Sequence, residues 1–426
     1  MKSTRSVPSP AARQKVRTLM KALVLGLAVW DRNARAQYVL APTPQAPDQT
    51  PPAVQQVNAM DVFANPEVQA EAEPFKWKDL TLRPHAFYQF LYADGLRYGT
   101  NQTQVANTLI QTISPGALLE LGTHWTLDYS PEWTVYSQTN FSNTFNQAAK
   151  LTGGFAYEDW IFSLVQGYTD ASAPSVETAA QTRQQNYSTA VEGLYTINTK
   201  VSLDLGLNQS FVSADQFSSY REWSTMDWLN YQFRPRLNVA LGLGAGYDNE
   251  DTGPDMTFQR VQGRVNWRAT DKLSFQVHGG VEVREFMSGG AGNLVNPLFD
   301  ATIQYRPFDQ TKISLTGQRT VSTSYLFLQD QVTEITSVSV DLNQRLLGTF
   351  FLDLNGGYQL AKYVSSAAAS SSNRRDDYYF LNAQLKHVIF KRGSIAVLYQ
   401  INKDNSSVSG YGFTSHQVGF QIGYSY

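Results

Sequence analysis

The sequence predicts an all-β fold, a single closed antiparallel transmembrane β-barrel, and three observations carry that reading. From about Leu80 to Tyr426 apolar and polar residues alternate one for one, the pattern of a sheet with one apolar and one polar face. The aromatic load is high, with 23 Tyr, 23 Phe and 8 Trp, although the hydrophobic fraction is only 42%. Connections between the alternating segments are by turns short and long, as expected for short periplasmic turns and longer external loops.

The start of the chain reads as an export signal. Arg13, Lys15, Arg17 and Lys21 precede a short apolar run, Ala22 to Trp30, and then DRNARA, where Ala34 and Ala36 have the spacing of a small-x-small cleavage site. The run is too short for a membrane-spanning helix. Residues 1–36 are therefore expected to be a signal peptide. Residues 37–77, rich in Pro, Gln, Ala and Glu, are expected to be a disordered periplasmic leader, and residues 78–426 the barrel. The chain holds 34 Lys/Arg and 36 Asp/Glu, of which eight and one lie in 1–36. The mature protein thus carries 26 against 35, formally −9, which gives no electrostatic footprint for nucleic acid. With no cysteine, disulfides and thiol chemistry are excluded.

The first strands are expected at about 80–92, 104–120, 124–140 and 147–157, with fourteen more between Trp160 and Tyr426. The total is 18, with 16 as the alternative because Pro115 and Pro131 interrupt apparent strands and mark either turns or bulged, edge-like positions. Clear cases of alternation are Val201, Leu203, Leu205 and Leu207; Leu237, Val239, Leu241 and Leu243; Leu273, Phe275 and Val277; and Val418, Phe420, Ile422, Tyr424 and Tyr426. Short turns are expected at 157–159, 197–200, 234–236, 269–271, 306–310, 343–346 and 391–393. Long loops are expected at 170–185, 211–221, 247–255, 285–296, 319–331, 363–376 and 403–412. A β-sandwich or solenoid also alternates. Segments of nine to twelve residues and the ordered short-long rhythm favour the barrel, which must close because hydrocarbon offers an open edge no hydrogen-bond partner. Trp160, Tyr231, Phe233, Trp267, Tyr305 and Tyr424 near the turns, with Tyr168 and Tyr247 toward the loops, read as two interfacial girdles. Glycine pairs such as Gly242/Gly244 permit curvature and close approach of side chains.

The inward parity holds the charges. Arg260, Arg264 and Arg268 are four apart on one strand and share a face; Glu282 and Arg284 lie on the next. This ladder either sets solute selectivity or is an ion-pair network that stiffens the wall. Asp204, Asp341, Asp353 and Lys386 are further lumen-facing charges. Tyr325, Leu326, Phe327 and Leu328 form an apolar cluster in an expected loop, a candidate inward-folded constriction, with an extended strand as the alternative. His278 faces inward, while His85, His124, His387 and His416 are scattered. With no HExxH and no GxSxG, no metal, cofactor or catalytic residue is expected. Ser415 and His416 are adjacent, so an extended strand points them to opposite faces.

Residues TLRPHAFYQFLYADG (81–95), LIQTISPGALLELG (109–122) and LDYSPEWTVYSQ (127–138) resemble the opening of outer-membrane β-barrel porins often linked to exopolysaccharide export. Gly95 departs from that pattern, where Asn is usual. The end, QVGFQIGYSY (417–426), resembles the C-terminal signal read by the outer-membrane assembly machinery, on Gly419, Ile422, Tyr424 and Tyr426. The resemblance implies the outer membrane of a Gram-negative bacterium, with lipid, lipopolysaccharide and the assembly machinery as partners, and with a link to a polysaccharide export system. Two functions from different classes follow as expectations: a passive channel for polar solutes or a secreted polysaccharide, and a closed structural or surface-interaction barrel.

Overall fold

The computed structural model describes residues 75–98, 105–174, 181–215, 219–251, 254–287, 293–323, 331–365, 374–389 and 392–425. The expected signal peptide, the leader up to residue 74, the cluster Tyr325–Leu328 and Tyr426 lie outside these residues. In chain order the strands are β1 (Phe75–Trp77), β2 (Leu80–Arg97), β3 (Val105–Leu121), β4 (Trp125–Tyr136), β5 (Thr144–Tyr157), β6 (Trp160–Pro174) and β7 (Gln181–Thr196). Then come β8 (Val201–Ala214), β9 (Tyr220–Arg234), β10 (Leu237–Glu250), β11 (Met256–Arg268), β12 (Leu273–Phe286) and β13 (Leu294–Phe308). The last are β14 (Thr311–Thr323), β15 (Gln331–Leu346), β16 (Phe350–Ser365), β17 (Arg375–Ile389), β18 (Gly393–Ser406) and β19 (Phe413–Ser425).

Strands β2 to β19 pair in sequence, each antiparallel to the next, and β19 returns to β2 through His416↔Asp94 down to Ser425↔His85. The barrel is closed and has 18 strands. The three residues of β1, at the end of the expected leader, pair with the foot of β2 from Phe75↔Leu82 to Trp77↔Leu80. They cover the stretch of β2 that β19 does not reach, so this edge keeps a partner.

The strands run longer than their sequence pattern suggested, 12 residues in β4 and 18 in β2. The long connections shrink accordingly to 175–180, 215–219, 251–255, 287–293, 324–330, 366–374 and 407–412. Residues above the apolar belt are polar on both faces, so their alternation disappears although their ladder continues. Asp170 and Arg183, for example, form a 2.6 Å ion pair across paired β6 and β7. The turn expected at 343–346 is also displaced. Those residues end β15, and the chain reverses at 347–349, where Leu347 (φ 42°) and Gly348 (φ 77°) take the left-handed conformation.

Pro115 and Pro131 are neither turns nor strand ends. In the β3–β4 ladder Ile113 faces Trp133 and Ala117 faces Tyr129, which sets the two prolines directly opposite each other, and pairing is interrupted between those rungs. Each proline stays paired on its other side, Pro115 with Ala86 and Pro131 with Gln147. Both missing N–H donors therefore fall on one rung.

The outward face is apolar and exposed, for instance Leu241 at 59% and Leu243 at 60%. Aromatic pairs mark both borders of this belt. Trp160 packs on Tyr195 at 4.8 Å and Trp267 on Phe275 at 5.2 Å at the turn side. Tyr168 packs on Tyr187 at 4.8 Å and Phe211 on Trp223 at 5.3 Å toward the loops. These are the two expected girdles. One acidic residue breaks the belt. Asp227 lies on the outward parity of β9, midway in sequence between Trp223 and Tyr231, and its partners in the neighbouring ladders include Leu243. Between Asp204↔Trp228 and Leu207↔Thr225 the β8–β9 ladder skips, and the Asp227 carboxylate accepts the Gly206 N–H at 3.2 Å. The side chain thus satisfies an amide that the ladder leaves open.

Candidate functional site

The inward charges gather on the wall formed by β8 to β12, and a strip of small residues makes their arrangement possible. The inward positions of β10 include Ala240, Gly242, Gly244 and Gly246, which the ladders place between Met226 and Trp228 of β9 and Phe258, Arg260 and Gln262 of β11. A Cβ on Gly242 would stand 2.5 Å from Met226 Cε and 2.6 Å from Trp228 Cε3; one on Gly246 would stand 2.1 Å from Phe258 Cζ. The neighbouring rings and thioether therefore lie flat across β10 instead of projecting into the lumen.

The arginines rest on these rings. The Arg260 guanidinium is 4.3 Å from the centroid of Phe258, and that of Arg264 is 4.5 Å from Trp228. Both distances are within cation–π range. From there the two side chains part. Arg260 donates to Glu282 at 2.5 Å, and Arg284 donates to the other carboxylate oxygen at 2.6 Å and to the Val321 carbonyl at 3.3 Å. Arg264 turns across the small-residue strip and donates to Asp204 at 3.0 Å and Asn230 at 2.5 Å. Arg268 closes the series at the turn end of β11, opposite Ser274.

Accessibility divides these residues differently from their strands. The side chains of Glu282 and Arg284 are 0% and 1% exposed, whereas Arg260, Arg264 and Asp204 retain 23%, 17% and 33%. The ladder expected from sequence is thus two structures: toward the loop end a dry Glu282–Arg284 pair that Arg260 caps from the wetted side, and nearer the turns a wetted Arg264–Asp204 pair. Glu192 of β7 stands close enough to Asp204 and Arg264 to interact electrostatically and extends the wetted group. His278 faces Arg264 across the β11–β12 ladder and lies 5.9 Å from the Trp228 ring.

A second, smaller set lies on β15 to β17. Asp341 accepts from Asn355, and Asp353 accepts from Asn343 at 3.0 Å. Lys386 Nζ stands 5.6 Å from the Phe351 ring. The distance in the fold between this set and the arginines follows from their separate strands. Asp341 and Lys386 each stand on the strand parity opposite an exposed apolar neighbour, Val340 and Leu385.

Sequence reasoning missed the aromatic bed, Trp228 and Phe258, because inward aromatics share the parity of polar residues and break no pattern. It also missed a buried aromatic cluster at the loop end. The 137–143 connection between β4 and β5 brings Phe141, 3% exposed, onto Tyr136 at 5.3 Å and edge-on to Tyr98 at 5.9 Å. It joins a buried cluster with Leu91, Ala93, Leu96 and Ile110. A lone Phe in the otherwise polar stretch QTNFSN (138–143) was the available signal. Of the expected assembly residues, Ile422 and Tyr424 are outward and exposed, while a Cβ on Gly419 would stand 1.9 Å from the Phe90 carbonyl across the closing seam. Ser415 is fully buried and His416 contacts Tyr399 at 3.1 Å, so the two point apart as expected. Among the described residues no group of three or more His, Asp or Glu is placed to hold a metal ion.

Residues 248–425 match the family described as "Putative beta-barrel porin 2". No curated protein matches the chain. Among solved structures, OccAB3 of Acinetobacter baumannii is 9% identical with a TM-score of 0.45, covering 81% of this chain and 99% of its own. OprD of Pseudomonas aeruginosa is 13% identical with a TM-score of 0.43, covering 84% and 97%. The conclusion rests on the chain's own geometry and on the family match: this is a closed 18-stranded transmembrane β-barrel of the outer-membrane type, similar over residues 248–425 to that porin family.

Proposed function

We propose that the barrel is a passive channel of the Gram-negative outer membrane for polar solutes or for a secreted polysaccharide. The observation that carries this reading is the wetted Arg264–Asp204 pair on the inner wall, 17% and 33% exposed. A charge that keeps contact with water on a lumen wall can act on what passes, and 18 strands allow a water-wide interior. In this reading Arg260, Arg264 and Arg268 set ion preference, while Glu282 and Arg284 brace the wall. Gly419, Ile422, Tyr424 and Tyr426 serve barrel closure and recognition by the assembly machinery. The polysaccharide alternative rests on the resemblance of the opening strands to porins linked to exopolysaccharide export.

The test is conductance. Purified protein in planar bilayers gives discrete steps, and a membrane that stays sealed under conditions that insert a control porin refutes the proposal. One observation favours a second reading, a closed structural or surface-interaction barrel: the 137–143 connection buries Phe141 against β2, β3 and β4. That reading predicts no steps in wild type.

A further inference from the structure

The outer surface of β6 to β9 carries a polar patch that the channel reading does not use. Gln166, Thr189 and Gln209 form one rung across β6, β7 and β8, between the rungs Leu164–Val191–Leu207 and Tyr168–Tyr187–Phe211. Val191, Leu207 and Tyr187 are 39%, 52% and 44% exposed on the outer surface, and the polar rung shares their face. It lies on the membrane side of the Tyr168–Tyr187 and Phe211–Trp223 pairs. Asp227 of β9 completes the patch. Hydrocarbon offers these side chains no hydrogen-bond partner. On β11 and β12 the outward rungs hold Val261, Val265, Val277 and Val281 instead.

The patch is complementary to itself. Gln166 lies six residues on from Trp160, the turn-side start of β6, and Asp227 seven before Arg234, the turn-side end of β9. Thr189 lies seven before Thr196, and Gln209 eight on from Val201. The four therefore stand at nearly one depth. Two copies inserted in the same direction are related by an axis along the membrane normal, which preserves depth. Placed between β7 and β8, that axis sets Gln166 of one copy toward Asp227 of the other, and Thr189 toward Gln209. The chemistry fits each pair. The Thr189 hydroxyl occupies the Gln166 carbonyl at 2.7 Å, which leaves the Gln166 amide to donate. The Asp227 carboxylate takes the Gly206 N–H on one oxygen and has acceptor capacity on the other. The Thr189 oxygen accepts and the Gln209 amide donates. At the loop end the same axis relates Arg183, thirteen residues before Thr196, to Asp215, fourteen on from Val201. The Arg183 side chain is 52% exposed and Asp215 is exposed, so opposite charges meet across the axis.

We propose that this face is the contact between two copies of the chain within the membrane, an isologous interface centred between β7 and β8. Acyl chains cover the patch but leave its donors and acceptors open. A second copy fills both.

The chain has no cysteine, so introduced thiols report the interface alone. Full-length Thr189→Cys and Gln209→Cys chains with different tags are coexpressed, and their outer membranes are oxidised with copper phenanthroline. The expected product is a disulfide-linked pair carrying both tags. Val340→Cys, outward and 46% exposed on β15, is the control and stays single. Energy transfer between labelled barrels in lipid vesicles reads the association itself. Gln166→Leu combined with Gln209→Leu should weaken it about tenfold or more, because polar contacts in hydrocarbon are lost and the symmetry removes each one twice. Heat-modifiable mobility on gels and conductance per barrel should stay unchanged, which separates a lost contact from a lost fold. A wild type that stays monomeric in vesicles overturns the proposal, and lipid retained on that monomer would assign the patch to lipid. Crosslinking of Val340→Cys as strong as that of the 189–209 pair also overturns it, as does association that the double leucine variant leaves intact.

Discussion

Glu282→Gln and Asp204→Asn remove one carboxylate each from the same inner wall, and their consequences should differ severalfold. Glu282 is 0% exposed and holds two guanidinium groups at 2.5 and 2.6 Å. Without its charge Arg284, 1% exposed, keeps the Val321 carbonyl and the more distant fields of Glu222 and Asp248. Breaking a buried ion pair from one side costs about 3–5 kcal/mol. The two remaining carboxylates hold the expectation to the lower end, ~3 kcal/mol. Asp204 is 33% exposed and Arg264 17%. Water rehydrates a guanidinium left in that setting, so the cost should be no more than about 1 kcal/mol. Urea unfolding in lipid vesicles, followed by tryptophan fluorescence, reads both. Selectivity should move the other way. Arg264→Gln shifts the reversal potential toward cations, whereas Glu282→Gln moves it far less, because the Glu282 carboxylate itself is out of contact with the permeant. Equal costs for the two carboxylate variants would refute the division into dry and wetted groups, as would a reversal potential that follows Glu282 and not Arg264.

Three further outcomes are expected. Phe141→Ala removes a side chain 3% exposed, at a cost of about 3 kcal/mol by the scale of core Phe→Ala changes, and raises single-channel conductance; an unchanged conductance separates the cluster from the permeation path. Asp227→Asn keeps an acceptor for the Gly206 N–H without a charge in hydrocarbon and should stabilise the barrel in vesicle unfolding. Asp227→Leu frees that N–H at about 1–3 kcal/mol and so ends less stable than the Asn variant; the opposite order refutes the assigned role. Asp255, outside the strands, is held below the usual carboxylate range by the Tyr247 hydroxyl at 2.6 Å and by Asn249. The resulting stabilisation is present above the ordinary carboxylate pKa and is lost as pH falls through the depressed one. Protease cleavage at 251–255 should therefore rise only at strongly acidic pH, and Tyr247→Phe should move that onset upward.

Strand existence and direction were legible because a bilayer imposes apolar residues on one face at a period of two, and no other constraint competes within the belt. Leu237 to Leu243 could hardly be read otherwise. Strand ends were not legible, because Asp170 and Arg183 stay in the ladder where lipid no longer selects for apolar side chains. The inward parity of Arg260, Arg264 and Arg268 was visible, but their division was not. It depends on the Gly242–Gly246 floor and on partners from β8 and β12, which come together only when the strands are in register. Phe141 was hidden because a connection has no periodicity to say which way its one aromatic turns.

The opposed prolines also act on the alternatives to the native pairing. With Pro115 facing Pro131, the chain loses both donors at a single rung of the β3–β4 ladder. A slip of β3 along β4 by two residues would preserve the inside-outside pattern, so the alternation of side chains does not forbid it. It would, however, move each proline against a residue that has a donor to give and an acceptor to fill, breaking the ladder at two places where the native alignment breaks it at one. The pair therefore serves as an alignment mark. It costs little in the native barrel and weighs most against the shifted one.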